Sequence, residues 1–205
     1  MRRDYQMQRL DQQDLNPSPF GQFQKWFNEA VSASVIEPNA MSLATVSADK
    51  PSCRIVLMKH FDTSGLTFFT NYTSRKAQEL LSTPHATVNF FWKELERQVN
   101  IEGSVVKTDR RESEEYFAVR PRASQLAAWA SPQDKVLTSR QELENAYQVM
   151  EEQYHDKEVP LPDFWGGFRL IPDRFEFWQG RRNRLHDRFR YTLLQGYWTV
   201  ERLAP

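Results

Sequence analysis

From residue 40 onward the apolar pattern falls into short β-type runs at 41–46, 53–59 and 66–71, separated by turns at 47–51 and 62–65. Connections that short cannot house a crossover, so consecutive strands must be antiparallel neighbours. Runs at 85–92 and 97–107, joined by 93–96, and at 165–170, 174–179 and 197–203 extend the series. Within 53–59, Arg54, Val56 and Met58 alternate with Ile55, Leu57 and Lys59. Arg54 and Lys59 therefore fall on opposite faces unless the strand bends.

Helical spacing lies between the strands. Ser18 is placed to cap a helix with Pro19 at its first position, and Phe20, Phe23, Trp26, Phe27, Ala30 and Val31 form one stripe to about residue 33. Thr73 or Ser74 can cap a short helix that stops before Pro84, and Asp109 can cap one that carries Tyr116 and Arg120 on a single face. Ser124 can cap the segment SQLAAWA, and Ser139 with Glu142 forms a capping box for a helix to about residue 154. Short strands with helices set between them, and neither repeat nor linker, predict one α+β domain around an antiparallel, barrel-like sheet over residues 16–205. Residues 1–15 read as a polar arm that is mobile unless it docks.

Charge and composition exclude several classes of function. Lys plus Arg and Asp plus Glu are 27 each, so no net charge draws the chain to nucleic acid or a membrane surface, and any anion site must be built locally. Cys53 is the only cysteine, which excludes intrachain disulfides and multi-thiolate metal sets and fits a reducing cytoplasm. The four histidines lack ligand spacing, so no metal site is expected. No apolar run reaches the length of a membrane span, and the first residues lack the apolar core of a secretory signal. The seven glycines trace neither a Rossmann fingerprint nor a P-loop. A phosphorylated cofactor would have to be held by side chains and helix N-termini.

Two places suit such a role. Arg75 and Lys76 open a short helix, where the helix dipole disfavours cations by a few tenths of a kcal/mol up to ~1 kcal/mol, a sign that a bound phosphate reverses. The competing reading is a pair of solvated side chains. Tyr116, Arg120 and Ser124 bring an arginine, hydroxyls and a second helix start together, with ordinary capping as the competing reading. Two such sites suit one phosphorylated cofactor and one phosphorylated substrate. A third feature, FEFWQGRRNRLHDR at 175–188, is a strand that turns at Gly180 into Arg181, Arg182, Arg184, His186 and Arg188. Guanidinium groups beside Trp178 suit a planar anionic ligand, and the competing reading is a basic surface loop.

The order Phe175-Glu176-Phe177-Trp178-Gln179, four residues, then Arg184-Leu185-His186-Asp187-Arg188 resembles the signature of the pyridoxamine 5′-phosphate oxidase family. RIVLMK from Arg54, SRKA from Ser74, ERQV from Glu96, RPRASQ from Arg120 and PLPDFWGGFR from Pro160 agree with it in order along the chain. The resemblance implies an FMN-binding split barrel, a homodimer with both flavin sites at the subunit interface, and oxidation of pyridoxamine 5′-phosphate and pyridoxine 5′-phosphate to pyridoxal 5′-phosphate by O2. Carried over by motif, FMN would be held by Arg54, Ile55, Val56, Leu57, Met58, Lys59, Phe69, Thr70, Arg75, Lys76, Gln98, Gln133, Asp134, Trp178 and Arg188. The substrate phosphate would meet Lys59, Tyr116, Arg120 and Ser124. Arg184 and His186 would act at the pyridine ring, and Arg2 and Tyr5 would close the site.

Four positions depart from the family pattern. Asp134 follows Gln133 where a small hydroxyl residue is more usual, Phe69 replaces tyrosine, and Arg181 and Arg182 add charge that reads as surface. Rival readings on the same barrel are a phenazine-pathway oxidase, a general flavin reductase and a non-enzymatic carrier of pyridoxal phosphate or FMN.

Overall fold

The computed structural model describes residue 5 and residues 8–205 of the chain. Among the described residues nine strands form a single antiparallel sheet in the order β2-β1-β5-β6-β7-β4-β3, with β8 on β7 and β9 on β8. β1 (Ala40–Ser47), β2 (Lys50–Leu57), β3 (His60–Asp62) and β4 (Gly65–Asn71) follow one another through tight turns. β5 (His85–Trp92) and β6 (Arg97–Lys107) form the hairpin expected from their spacing, and β9 spans Tyr197–Leu203. The short connections make antiparallel neighbours of β1 and β2 and of β5 and β6, as expected, but the run at 66–71, β4, does not pair with β2: the chain bends after β2, and β4 pairs with β3 and β7 at the far side of the sheet.

The central element is β7, which runs unbroken over Trp165–Gln179 where the sequence suggested two strands. Pro172 would ordinarily end a central strand, because it has no N–H for the ladder. Here the pairing with β6 shifts between Glu102 and Gly103, so Asp173 is bulged out and Pro172 is accommodated. Gly103 is needed at that point, since a Cβ would lie 2.0 Å from the Ile171 carbonyl oxygen. One edge of β7 pairs with β6 from residue 168 to residue 179. The other is shared, with β4 along residues 165–170 and β8 (Asp187–Leu194) along 174–179. This change of neighbour splits the barrel.

Five helices flank the sheet. α1 (Pro19–Ser32) turns Phe23, Trp26 and Ala30 into the core against Phe90, Trp92 and Phe177. Burying each large side chain contributes roughly 1.5–3 kcal/mol. α2 (Arg75–Ser82) lies on β1. α3 (Arg110–Ala118), α4 (Arg122–Ala130) and α5 (Arg140–Gln153) enclose a second cluster of Phe117, Leu126, Tyr154, Val159 and Trp165. The polar segment before α1 is tied to the far end of the chain: Leu10 is buried, its N–H donates to Asp187, and Asp11 pairs with Arg202.

Local expectations were corrected at several points. β2 ends at Leu57 and the backbone bends through Met58 and Lys59, whose N–H donates to the Thr67 carbonyl of β4. The bend separates Arg54 and Lys59 into different sites. Pro121, not Ser124, occupies the N-cap of α4; Ser124 is the third helical residue and its N–H donates to the Pro121 carbonyl. Of the expected capping box on α5, Ser139 accepts from the Glu142 N–H, but the Glu142 carboxylate turns to Thr138. Strands β3 and β8 were not read from the sequence, because β3 has three residues and β8 lies under the basic motif.

Candidate active site

The residues expected to bind phosphate and rings collect in three places. The first is the start of α2. Ser74 stands at the N-cap but does not cap; its hydroxyl donates to the Asn71 carbonyl. The Arg75 N–H instead donates to the Asp134 carboxylate at 2.8 Å. Lys76 is only 7% exposed, and its ammonium meets the Thr70 and Ser74 hydroxyls at 3.3 Å each. Burial pushes the Lys76 pKa down, with Asp134 and Glu79 opposing the shift and Arg54 adding to it. Gln133 lies beside Thr70 at 3.4 Å.

Glu79 was missed by sequence reasoning and organises this cluster. One carboxylate oxygen accepts from Arg75 at 2.8 Å, while the other meets Thr45, Ser52 and Arg54. A charged residue on the inner face of a short helix is a visible signal, because it cannot be buried without such partners. Burial alone would raise the Glu79 pKa, but hydrogen bonds from Ser52, Thr45, Arg75 and Arg54 outweigh it and hold the carboxyl at about 2, below its ordinary 4.5. A depressed carboxyl stabilises the fold above its unfolded pKa and loses that contribution as pH falls through the folded value. The gap in melting temperature between the native chain and Glu79→Gln should be widest above pH 5 and narrow steadily towards pH 2–3; a constant gap would show that charge plays no part.

The second place is a stack of rings where β4, β7 and α3 meet. Phe69 lies against Tyr116 with centroids 4.1 Å apart and against Trp165 at 5.5 Å, all nearly parallel. Gly167 allows this approach, since a Cβ there would lie 2.9 Å from the Phe69 ring. Lys59 sits 5.9 Å over Tyr116, and Arg120 lies 4.6 Å over Trp165 and 5.5 Å from Phe117. Burial pushes the Arg120 pKa down, and its buried Nη1 has no hydrogen-bond partner among the described residues. Such an orphaned donor, stacked on tryptophan, is available to an anion. Trp165, the floor under Arg120, was not singled out in the sequence.

The third place is the opposite end of β7. Gln98, Trp178 and Arg188 are cross-strand partners on β6, β7 and β8, so their side chains share one face. Arg188 is fixed by Glu176 and the Ala204 carbonyl. His186 lies 4.6 Å from Trp178, and Tyr5 packs edge-on against both rings. Tyr5, Arg181, Arg182 and Leu185 line a cleft of about 370 Å³. Arg184 is exposed and has a left-handed backbone.

Arg181 is more than surface charge. Its N–H donates to His186 Nδ1 at 3.0 Å, and its side chain reaches Asp187 and the Gln8 carbonyl. A backbone N–H needs an acceptor, so Nδ1 carries no proton and the neutral ring keeps its proton on Nε2. Burial and the Arg184 charge lower the His186 pKa, with Asp187 opposing, which favours that neutral ring. His186 is thus set up to donate from Nε2.

Trp165 and Trp178 are thirteen residues apart on one strand, on the order of 40 Å along an extended chain. One chain therefore keeps the candidate residues in two separate groups, with the α2 start and the ring stack at one end of β7 and the Trp178–His186 row at the other. Arg2 lies outside the described residues.

A split antiparallel sheet with a cation-lined helix start and an aromatic row is the frame of FMN-binding split barrels. An FMN-binding protein from Nostoc punctiforme related to pyridoxamine 5′-phosphate oxidase shares this fold at 18% identity, with a TM-score of 0.72 over 92% of this chain and 98% of its own. PhzG from Burkholderia lata, solved with tetrahydrophenazine-1-carboxylic acid, superposes with a TM-score of 0.89 at 30% identity, covering 94% and 95% of the two chains. Residues 27–154 match the pyridoxamine 5′-phosphate oxidase family model, and residues 165–205 match the pyridoxine 5′-phosphate oxidase C-terminal dimerisation region. Proteins named pyridoxine/pyridoxamine 5′-phosphate oxidase from Paraburkholderia phymatum and Cyanothece sp. are 54% and 52% identical, each covering 100% of this chain and 97% of their own. The chain belongs to the pyridoxamine 5′-phosphate oxidase family, a family of flavoprotein oxidoreductases with FMN as cofactor.

Proposed function

We propose that the chain oxidises pyridoxamine 5′-phosphate and pyridoxine 5′-phosphate to pyridoxal 5′-phosphate. O2 would be the final acceptor, giving hydrogen peroxide, and the amine would consume one water and release ammonia. The observation that carries this reading is Arg120, whose buried Nη1 has no hydrogen-bond partner among the described residues and whose guanidinium lies over Trp165, in the same ring stack whose Tyr116 carries Lys59. A phosphate needs such a charged, oriented donor set, and Arg supplies it bidentately.

FMN, when bound, supplies the two-electron acceptor. Arg75, Lys76, Thr70 and Gln133 would hold its phosphate end, with Arg54 aligned through Glu79. Gln98, Trp178 and Arg188 of the other subunit would complete its binding. The 54–59 segment, including Ile55, Val56, Leu57 and Met58, would border it. Ser124 would add a hydroxyl to the substrate phosphate, and Tyr5 would cover the substrate together with Arg184 and His186. With its proton on Nε2, His186 donates a hydrogen bond to the substrate and orients it; it does not act as a base. A homodimer built through residues 165–205 brings the two half-sites together.

The deciding experiment is anaerobic. Protein loaded with FMN and mixed with pyridoxine 5′-phosphate should lose its flavin absorbance and regain it when air is admitted, with formation of peroxide. Flavin that stays oxidised with both phosphorylated vitamers, but bleaches with a reduced phenazine carboxylic acid, would assign the Arg120 site to a carboxylate instead. That alternative has a specific basis in the likeness to PhzG.

A further inference from the structure

Asp134 brings a carboxylate to the cluster proposed to hold the FMN phosphate. It lies in an exposed turn closed by the Lys135 N–H on the Pro132 carbonyl, with a left-handed backbone (φ 66°) that aspartate tolerates better than most residues. From this turn its carboxylate reaches across 59 residues of sequence to the Arg75 N–H, the first free donor of α2. That donor, the partial positive charge of the helix start and the buried Lys76 ammonium are what an incoming phosphate would seek. Lys76 pairs with no carboxylate among the described residues and is held by hydroxyls alone. The cluster already contains Arg54, Arg75 and Lys76 against Glu79, so its surplus positive charge is offset in part by Asp134.

We propose that Asp134 is a built-in competitor for the FMN phosphate: its carboxylate holds the Arg75 N–H while the site is empty, gives it up when the phosphate enters, and so sets how tightly FMN is held. The proposal rests on the placement of the FMN phosphate at the start of α2. Its energetic logic has one sign. A carboxylate on the same donor lowers the free energy of the flavin-free chain and repels a dianion arriving within a few ångströms, and both effects weaken binding of the phosphorylated flavin. Riboflavin has no phosphate, so its affinity is untouched.

The test uses flavin-free, full-length protein titrated with FMN and with riboflavin by flavin fluorescence. Asp134→Asn keeps an acceptor oxygen and the left-handed turn while removing the charge. It should bind FMN roughly two- to fivefold more tightly, a range set by an exposed charge at a helix terminus, with riboflavin affinity unchanged. Asp134→Gly, which also suits the left-handed backbone, should shift FMN affinity in the same direction. Saturating inorganic phosphate should raise the melting temperature of flavin-free Asp134→Asn more than that of the native chain. FMN affinity equal to or below native in both variants would overturn the proposal. Lys76→Met separates the two levels of inference. If it weakens FMN while the Asp134 variants change nothing, the phosphate site stands and the competitor role falls. If it leaves FMN affinity unchanged, the phosphate site itself is misplaced and the proposal falls with it.

Discussion

Replacing Arg120 by alanine lowers kcat/KM for pyridoxine 5′-phosphate on the order of a hundredfold, equivalent to about 3 kcal/mol, while FMN remains bound. The figure follows from the loss of a charge-assisted, bidentate contact at a half-buried site, where hydrogen bonds to charged groups are worth roughly 1.5–3 kcal/mol each. Arg120→Lys should recover little. Lysine keeps the charge but lacks the planar fork and the stack on Trp165, which places the Arg120 guanidinium 4.6 Å from the ring. The informative comparison is with pyridoxine lacking its phosphate, whose poor turnover should be the same in native and variant protein. An equal loss with both substrates would mean that Arg120 only props up the ring stack.

The second large effect concerns where the site is assembled. Arg120→Ala and the double replacement of Arg184 and His186 by alanine should each leave little turnover. Mixed one to one, unfolded and refolded together, they should regain about a quarter of native activity, since half the dimers are mixed and each mixed dimer holds one intact site of two. The basis is the placement of Trp165 and Trp178 at opposite ends of β7. If both ends served a site within one chain, mixing would restore nothing. Retained FMN in the Arg184 and His186 variant would further show that those residues act on substrate.

Much of this architecture was legible because the β runs are short and their connections shorter. Hairpins such as β5–β6 follow directly from that spacing, with the strand bounds His85–Trp92 and Arg97–Lys107 as expected. The gathering of Arg75 and Lys76 at the start of α2 was legible as cations placed at the wrong end of a helix. What stayed hidden depends on contacts distant in sequence. Glu79 reads as one more helix acid until Thr45, Ser52, Arg54 and Arg75 are brought around it. Trp165 reads as the start of a strand until α3 lays Tyr116 beside it and the segment that follows α3 brings Arg120 over it. The continuity of β7 through Pro172 depends on Gly103 in another strand. Asp134 looked like a doubtful flavin contact, and only the fold carries it to the first N–H of α2.

The strand order also has a consequence for how this chain is made. β4 is nearly all buried in the finished sheet, yet the partner for its open edge, β7, begins at Trp165, 94 residues after β4 ends at Asn71. At 5–20 residues per second the ribosome takes roughly 5–20 s to supply it. Throughout that interval the nascent chain carries Leu66, Phe68 and Phe69 on an unsatisfied edge, the kind of surface that recruits neighbouring chains. Translation is therefore a period of exposure for this chain, which lasts until β7 has left the ribosome.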